Sequence, residues 1–365
     1  MRRLASCFAV PLICLFLILM PAGLMHSSVG DKSNFGCSAD HQCRFWGMIG
    51  NNLPADVVQD DLINLQFSLK NLGAYNDDGW GLAFYNSSGN YIFRGKPSAY
   101  SDPNFDQAVQ NITTSNAYIS VGHVRQASSG ATAIPNPHPF NRTKNGRVWM
   151  FGHNGGLDKT KLKNLIGQDY LDQNPPTVGA NWSDSDVVDS DLYMLYVMKC
   201  IEQNGWNATL GISEAVADIS AADYGAMNFF LTEGETLWGF RRGITLYYYY
   251  NSTAPYATIA SQPPNSTQQG WTLLYDYNLI ILTKDNPPII IDNIITIPEH
   301  LRQLALPVLV TTTLLAAAIS IKRKKIRNQA NTEANIQSRY KLDPKPTERL
   351  LPKLRLKTYL DKQTF

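Results

Sequence analysis

Residues 43–49, which read Cys-Arg-Phe-Trp-Gly-Met-Ile, form the stretch that decides the fold. Apart from one arginine and one glycine, the run that follows Cys43 is apolar and rich in the aromatic side chains that favour strands. The pattern predicts a short strand over residues 45–49. The cysteine stands two residues before that strand, and a thiolate is a strong nucleophile.

On the C-terminal side of this strand, the apolar pattern predicts a mixture of strands and helices. A helical period indicates helices at 191–200 and 212–218, and 60–70 is predicted as a helix although its apolar residues also fit a strand. Runs of strands beside runs of helices indicate layered α+β packing rather than regular βαβ alternation. Further strands are predicted at 80–85, 91–94, 117–124, 148–152, 227–232, 236–240, 245–250, 256–261 and 271–282.

The first 30 residues have the features of a secretory signal peptide. Arg2 and Arg3 precede an apolar run at 9–20, and small residues at 28–30 offer a cleavage position. We expect cleavage, since the apolar run is shorter than the roughly 20 residues that span a bilayer. An uncleaved N-terminal anchor is the alternative. Residues 31–42, which are polar and lack periodicity, are interpreted as a propeptide or linker.

Residues 304–321 are apolar and are predicted to form a transmembrane helix. The alternative is a buried core helix, but four consecutive basic residues follow at 322–325, as is typical of the cytoplasmic side of a membrane. The tail at 322–365 carries 13 Lys/Arg and 4 Asp/Glu, whereas residues 31–321 carry 17 and 26. The sequence therefore predicts a single-pass protein with an acidic extracytoplasmic domain. The basic tail either contacts anionic lipid headgroups or is simply solvated. No nucleic-acid partner is expected.

Seven Asn-X-Ser/Thr triplets agree with this topology, because all lie between the two apolar segments. Such triplets are acceptors of N-glycosylation in secreted chains. The predicted glycosylation sites are Asn86, Asn111, Asn141, Asn181, Asn207, Asn251 and Asn265.

Five cysteines are present, and Cys7 and Cys14 belong to the predicted signal peptide. The remaining three are an odd number in a compartment that permits disulfides, which leaves one thiol over. Cys37 could pair with Cys43 or with Cys200, and the sequence does not choose between them. No cysteine or histidine cluster has the spacing of a zinc site, so no metal is expected.

Six short motifs follow one another along the chain from Cys43. The motifs are Cys-Arg-Phe-Trp-Gly-Met at 43–48, Asp-Gly-Trp-Gly at 78–81, Gly-His-Val-Arg-Gln-Ala at 122–127, Asn-Pro-His-Pro-Phe at 136–140, Gly-His-Asn-Gly at 152–155 and Asp-Ser-Asp at 189–191. In this order and spacing they resemble the class II glutamine amidotransferases, most closely the stand-alone single-domain branch, over about residues 43–295.

The resemblance implies a four-layer α/β/β/α sandwich of the N-terminal nucleophile hydrolase type over residues 43–298, without a cofactor. It implies that Cys43 is the nucleophile and that Asn154 and Gly155 shape the oxyanion hole. Arg125 would bind the substrate α-carboxylate through its guanidinium fork. Asp189 would accept hydrogen bonds from the substrate α-ammonium.

Each assignment has a plainer alternative. Asn154 and Gly155 could form only a tight turn, and Arg125 could be a surface ion-pair partner. Asp189 could be a helix N-cap, and its register is open because other aspartates lie nearby. Those aspartates are Asp184, Asp186 and Asp191.

The histidines and aromatic residues of the motifs are given structural roles. His123, His138 and His153 could suggest a metal site, but their positions near predicted strand ends favour hydrogen-bonding roles. Trp80 and Phe140 are interpreted as pocket wall and core.

Relatives in this branch expose the cysteine at the N-terminus, where its own α-amine, with a pKa near 7.7, can accept the thiol proton. Here 42 residues precede Cys43. The mechanism therefore requires cleavage between Gln42 and Cys43. Because no synthase domain follows residue 295, we expect hydrolysis of glutamine or a γ-glutamyl amide, with any acceptor-domain partner unknown.

Two other functions are compatible with the sequence. One is a glycosylated surface module that binds glutamine without turning it over, and the other is a structural glycoprotein. The N-terminus of the mature chain discriminates between the enzyme and the binding module, because a terminus at Cys43 supports the enzyme. The structural glycoprotein leaves the motif series unexplained.

Overall fold

The computed structural model describes residues 42–296 with the exception of residues 129, 131, 133, 135 and 268. The predicted signal peptide, residues 31–41, the predicted transmembrane helix at 304–321 and the basic tail lie outside the described residues. Within the described part, every helix is too short or too polar to traverse a bilayer.

The strands belong to two antiparallel sheets. The first sheet has the order β11-β9-β10-β1-β4-β2-β3, and the second has the order β13-β12-β8-β7-β6-β5. In chain order the strands are β1 (Arg44–Gly50), β2 (Trp80–Asn86), β3 (Gly89–Gly95), β4 (Ile119–Val124), β5 (Phe140–Lys144), β6 (Arg147–Gly155), β7 (Met227–Thr232), β8 (Thr236–Phe240), β9 (Tyr247–Asn251), β10 (Tyr256–Ala260), β11 (Thr272–Leu273), β12 (Leu279–Thr283) and β13 (Ile289–Ile291).

Helices cover the outer face of each sheet. The first sheet is covered by α1 (Ala55–Gln59), a π-helical turn (Asp60–Asn64), α2 (Leu69–Leu72) and α3 (Pro103–Thr114). The second sheet is covered by α4 (Lys159–Ile166), α5 (Gln168–Gln173), α6 (Asp189–Gln203) and α7 (Ala208–Ala222), and a 3₁₀ turn (Ile294–Thr296) contacts α7.

Three apolar layers hold the sheets and helices together. Between the sheets, the rings of Phe45 on β1 and Phe230 on β7 meet edge to face with centroids 5.4 Å apart. Trp46, one residue along β1, faces the other way and packs under the helices of the first sheet. Successive side chains of a strand point to opposite faces, so an apolar stretch with both faces buried belongs at the centre of a sandwich. The predicted α+β sandwich with α/β/β/α layers is confirmed.

Two segment predictions were wrong. The segment 60–70 does not form one helix, because the chain leaves the π-helical turn at Leu65 and Ser68 caps α2 by accepting from the Asn71 N–H at 3.3 Å. The segment 271–282 does not form one strand. A turn with Tyr277 at φ 64° separates β11 in the first sheet from β12 in the second.

Candidate active site

Cys43 lies immediately before β1, the central strand of the first sheet. Its thiol is half-buried against the backbone of Gln126, with Sγ 3.3 Å from the Gln126 carbonyl oxygen and 3.4 Å from the Gln126 nitrogen. Because β1 pairs with β4 along its length, the thiol lies beside the residues that leave the end of β4.

Arg125 follows β4 directly and is held by the turn that precedes β2. The Arg125 N–H donates to the Gly79 carbonyl at 2.9 Å, and the Asp78 N–H donates to the Arg125 carbonyl at 3.1 Å. Gly79 has φ 105°, which only glycine adopts easily, and this explains the glycine in the Asp-Gly-Trp-Gly motif. Arg125 is only 4% exposed, so the alternative of a surface ion-pair partner is wrong.

Asn154 and Gly155 end β6 and pair with β7, so they belong to a strand and do not form a tight turn. Asn154 is fully buried, and its Nδ2 donates to the Ser261 hydroxyl oxygen at 3.4 Å. The same oxygen accepts from the Phe45 N–H at 3.0 Å. Ser261 therefore connects Asn154 to the strand that follows Cys43.

Gly155 needs to be glycine because of backbone packing. A Cβ at this position would collide with the carbonyl group of Ala226 and would lie 2.6 Å from the His153 ring. The absence of a side chain lets the backbone of Gly155 form part of the cleft wall described below.

Asp189 is the first residue of α6, and the N-cap of that helix is Val188, so the alternative of an N-cap is wrong. The Asp189 carboxylate accepts from the Leu157 N–H at 2.9 Å. Asp191 points elsewhere and pairs with Arg142 at 2.7 Å. Of the four aspartates between 184 and 191, only Asp189 reaches the cleft.

A cleft with an empty volume of about 290 Å³ brings most of the candidate residues together. Cys43, Arg125, Gly155 and Asp189 lie in its wall, whereas Asn154 lies behind the wall. The remaining lining residues are Gln126, Ser128, Asn136, His138, His153, Val188 and Ser190.

The three motif histidines form a buried hydrogen-bonded group behind and beside the cleft. His153 Nε2 donates to the Ala226 carbonyl at 3.2 Å, so its Nδ1 accepts from the Ser190 hydroxyl at 3.0 Å. His123 Nε2 lies 3.2 Å from the His153 carbonyl, which requires a proton on that nitrogen. It also lies 2.9 Å from His138 Nδ1, which must then accept.

Burial keeps these histidines neutral. It lowers the pKa of His123 to about 3 and also lowers the pKa values of His138 and His153. Among the described residues, no group of three or more His, Cys, Asp or Glu is arranged to hold a metal ion. The hydrogen bond from His123 on β4 to the His153 carbonyl on β6 connects the two sheets, which is the kind of structural role predicted for these histidines.

Burial also raises the pKa of the Cys43 thiol to about 11, against the opposing effects of the Gln126 backbone and the Arg125 charge. Burial lowers the pKa of the Arg125 guanidinium, and the neighbouring Cys43 and Asp189 act in the other direction. The thiol is therefore protonated at neutral pH, and it needs a base before it can attack. Neither Cys43 nor Cys200 is bonded in a disulfide within the described residues, and Cys37 lies outside them.

The sequence profile of the class II glutamine amidotransferases matches residues 43–263. The chain belongs to the class II glutamine amidotransferases. The matched region begins at the candidate nucleophile and contains Arg125, Asn154, Gly155 and Asp189.

Two curated relatives of this chain carry the name of the same family. A protein of Haemophilus influenzae named as a glutamine amidotransferase is 30% identical over 225 residues, which are 59% of this chain and 67% of the relative. The Escherichia coli protein YafJ, also named as a glutamine amidotransferase, is 38% identical over 80 residues, which are 22% of this chain and 31% of that protein. The solved structure of a class II glutamine aminotransferase domain protein from Silicibacter pomeroyi is 15% identical, covers 68% of this chain and 99% of that one, and has a TM-score of 0.46.

Sequence reasoning missed two contributors to the site. Gln126 acts through its backbone, so its side-chain identity carries no signal. Ser261 acts through its hydroxyl, but it lies 216 residues from Phe45, within an ordinary loop sequence after β10.

Proposed function

We propose that this chain hydrolyses glutamine or a γ-glutamyl amide, with Cys43 as the nucleophile after cleavage of the Gln42–Cys43 bond. The observation that carries the proposal is the convergence of Cys43, Arg125, Gly155 and Asp189 on one cleft. These residues come from the starts or ends of four elements that are far apart in sequence.

The free α-amine of Cys43 would be the base. An α-amine titrates near pH 7.7, so a useful fraction is neutral at physiological pH and can take the thiol proton. The thiolate would attack the δ-amide carbon of the substrate and expel ammonia, forming a γ-glutamyl thioester that water then hydrolyses. The start of the family match at Cys43 supports a mature domain that begins there.

The substrate would lie with its amino-acid end between Arg125 and Asp189. A guanidinium fork suits the α-carboxylate, and a carboxylate suits the α-ammonium. Gly155 in the cleft wall would supply a backbone donor to the developing oxyanion, worth roughly 3 kcal/mol of barrier. Asn154 lies behind that wall and bonds to Ser261, so it would hold the end of β6 in place. The mixture of one cation and one anion in the same small cleft suits a zwitterionic amino acid better than a simple anion.

We further propose an extracytoplasmic location, with a membrane anchor at 304–321 and glycans on the predicted asparagines. None of the seven asparagines is fully buried, which supports their accessibility to a glycosyltransferase. In a glycosylating host, treatment of the purified chain with an endoglycosidase should lower its mass. An unchanged mass would refute the glycosylation.

The second candidate function is a module that binds glutamine without turnover. The raised pKa of the Cys43 thiol favours it for as long as the chain remains uncut, because a protonated thiol without a base is a poor nucleophile. The mature N-terminus separates the two candidates: a terminus at Cys43 supports the enzyme, and one upstream supports the binding module.

Labelling by a chloroketone analogue of glutamine tests the nucleophile. The wild-type chain should gain the mass of one label at Cys43, and Cys43→Ala should gain none. Cys200→Ala is the matched control and should label like wild type, because Cys200 is buried and its thiol pKa is raised to about 12. Equal labelling of Cys43→Ala and wild type would exclude Cys43 as the nucleophile.

A further inference from the structure

A second cavity lies beside α4 and α5, and it shares no lining residue with the catalytic cleft. Its walls come from these two helices and from the connection at 174–188 between α5 and α6. Its volume of about 310 Å³ is within the range of roughly 300–1,000 Å³ that small-molecule sites have. Connections longer than about 12 residues without a helix or strand are uncommon and are usually functional. The proposed reaction gives this cavity no role.

The wall of the cavity combines hydrogen-bonding groups with apolar surface. The hydrogen-bonding groups include those of Gln168, Asp172 and Asn181, and the apolar surface includes Pro175, Pro176 and Trp182. A pyranose sugar has hydroxyl groups around its edge and C–H groups on its faces. A wall of this mixed kind therefore suits a sugar.

The charges around the cavity do not favour a charged ligand. Asp172 is exposed, and its carboxylate already accepts from the Gln168 amide at 2.6 Å. Lys163, the cation in the wall, is only half-buried. Interactions with charges that are open to water are weak, in contrast to those with the buried Arg125 and Asp189 of the catalytic cleft. The cavity therefore suits an uncharged ligand that carries hydroxyl groups.

Asn181 places an attachment point for a sugar in the wall. It is the exposed asparagine of an Asn-Trp-Ser triplet, and it lines the cavity. Its Oδ1 accepts from the Ser183 N–H at 2.9 Å, and Nδ2, on the other side of the amide, is the atom that an N-linked glycan modifies. A sugar linked to Asn181 therefore begins at the wall of the cavity.

The ring of Trp182 is held in place by its neighbours. Its Nε1 donates to the Asn174 carbonyl at 2.8 Å, and the Arg142 guanidinium lies 5.7 Å from its centroid. A surface that is already ordered costs little conformational entropy when a ligand binds. The same guanidinium pairs with Asp191 at 2.7 Å, near the start of α6. A ligand on Trp182 would therefore brace the connection that leads to Asp189.

We propose that this cavity is a sugar-binding site and that the first sugar of a glycan on Asn181 occupies it. The attached sugar rests on the extracytoplasmic location proposed above, whereas the site itself does not. A covalent link keeps the sugar at a high local concentration, so weak contacts are enough to hold it. A sugar from another glycan would use the same groups, so the experiment has one arm for each source.

Release of glycans from the folded full-length chain tests the attached sugar. The chain is secreted from a host that adds N-linked glycans, digested without denaturation by a peptide N-glycosidase, and followed site by site by mass spectrometry. Two net hydrogen bonds to the seated sugar should slow its release from Asn181 roughly 10-fold relative to release from Asn265. Asn265 is the matched control, since its Oδ1 also accepts from the N–H two residues later, at 3.0 Å, but it does not line the cavity.

Asp172→Ala separates a seated sugar from simple shielding of Asn181 against the glycosidase. It removes a hydrogen-bonding group from the wall, so it should speed release from Asn181 and leave release from Asn265 unchanged. Asp169→Ala is the matched variant, because Asp169 is also an exposed residue of α5 but does not line the cavity, and it should behave like wild type. Equal release from Asn181 and Asn265 in the wild-type chain would overturn the seating of the attached glycan, as would slow release that Asp172→Ala leaves unchanged.

Free N-acetylglucosamine tests the site without glycosylation. The full-length chain is made in a host that adds no N-linked glycans, and saturation-transfer NMR measures binding of the sugar. Wild type and Asp169→Ala should bind it, and Asp172→Ala should bind it more weakly. If this dependence on Asp172 appears although the glycan on Asn181 is absent or quickly released, the site stands and its sugar comes from another source. If neither assay depends on Asp172, the sugar site is overturned.

Failure of this inference and failure of the proposed function are separate results. Neither assay uses glutamine, so loss of the sugar site would leave the proposed hydrolysis unaffected. A secreted chain that carries no glycan at all would refute the proposed glycosylation, and the assay with free sugar would still decide the site.

Discussion

The backbone of Arg125 is held in place, because its N–H and its carbonyl are both hydrogen-bonded to the turn at Asp78 and Gly79. The Arg125 side chain is buried. An interaction between a guanidinium and a carboxylate is stronger in a buried site than at the surface. These two features suit a residue that sets the orientation of a bound amino acid.

The first prediction concerns the shape of this cation. Arg125→Lys keeps the charge and loses the fork, so it should lose hydrogen bonding worth about 1.5–3 kcal/mol, or roughly 10- to 150-fold in KM for glutamine. Steady-state kinetics of the cut enzyme measure the effect. Arg241→Lys, whose guanidinium bonds to backbone carbonyls away from the cleft, should leave KM near the wild-type value. An unchanged KM for Arg125→Lys would argue against the carboxylate contact.

The second prediction concerns Ser261, whose hydroxyl oxygen accepts from both Phe45 and Asn154. Ser261→Ala leaves a buried N–H without its acceptor, which should lower the free energy of unfolding by about 1–3 kcal/mol. It should also lower kcat more than it raises KM, because Asn154 loses the group that orients it. Ser120→Ala is the control. Ser120 is also buried, but it lies near the start of β4, whereas Arg125 follows the end of that strand. Its hydroxyl donates to the Ala83 carbonyl. It should lose stability without the fall in kcat.

At the scale of elements, the site is built where three strands and one helix begin or end. Cys43 precedes β1, Arg125 follows β4, Gly155 ends β6 and Asp189 begins α6. Backbone packing between β6 and the segment before β7 sets the position of Gly155, since its Cα faces the Ala226 carbonyl.

The third prediction tests this close approach. Gly155→Ala would push the end of β6 away from Ala226, at a cost of about 1–3 kcal/mol for overpacking. Urea unfolding of the purified chain measures this cost, and glutamine turnover should fall as well. Gly156→Ala is the adjacent control, because a Cβ there would meet no atom within 4 Å. Equal stabilities for the two variants would show that the contact with Ala226 does not constrain β6.

At the scale of the whole molecule, one buried carboxyl group makes stability depend on pH. Asp61 in the π-helical turn accepts from the indole N–H of Trp46 on β1 at 3.0 Å. Burial raises the pKa of Asp61 from 3.8 to about 7. The folded state therefore holds a proton at this site that the unfolded chain releases near pH 4. The penalty for burying the charge grows as pH rises from about 4 to 7 and is complete above pH 7.

The fourth prediction follows from this loss of stability as pH rises. Asp61→Asn keeps an acceptor for Trp46 and removes the charge, so the variant should be more stable than wild type above pH 7, by about 4 kcal/mol at most. The difference should shrink as pH falls towards 4. Denaturant unfolding of both chains across this range measures it, and a difference independent of pH would contradict the prediction.

Most of the sheet could be predicted from local pattern, whereas several surface elements could not. Strands such as β1 and β7 are apolar on both faces and stand out in the sequence. The unpredicted helix α3 has few apolar residues and begins at a proline, and its stability comes from an Asp102 cap and from packing of Phe105 under Trp80. The other unpredicted elements are α1, α4, α5, β5, β13 and the 3₁₀ turn.

The sequence by itself determined the family, the α+β class and the identity of the candidate nucleophile, because these depend on short motifs and on local periodicity. Only the tertiary structure decided which aspartate reaches the cleft and that Ser261 connects β1 to Asn154. It alone brought Asp172 and Asn181 to one cavity. These contacts are set by sheet register and by packing between residues up to 216 positions apart, and no local pattern specifies such distances.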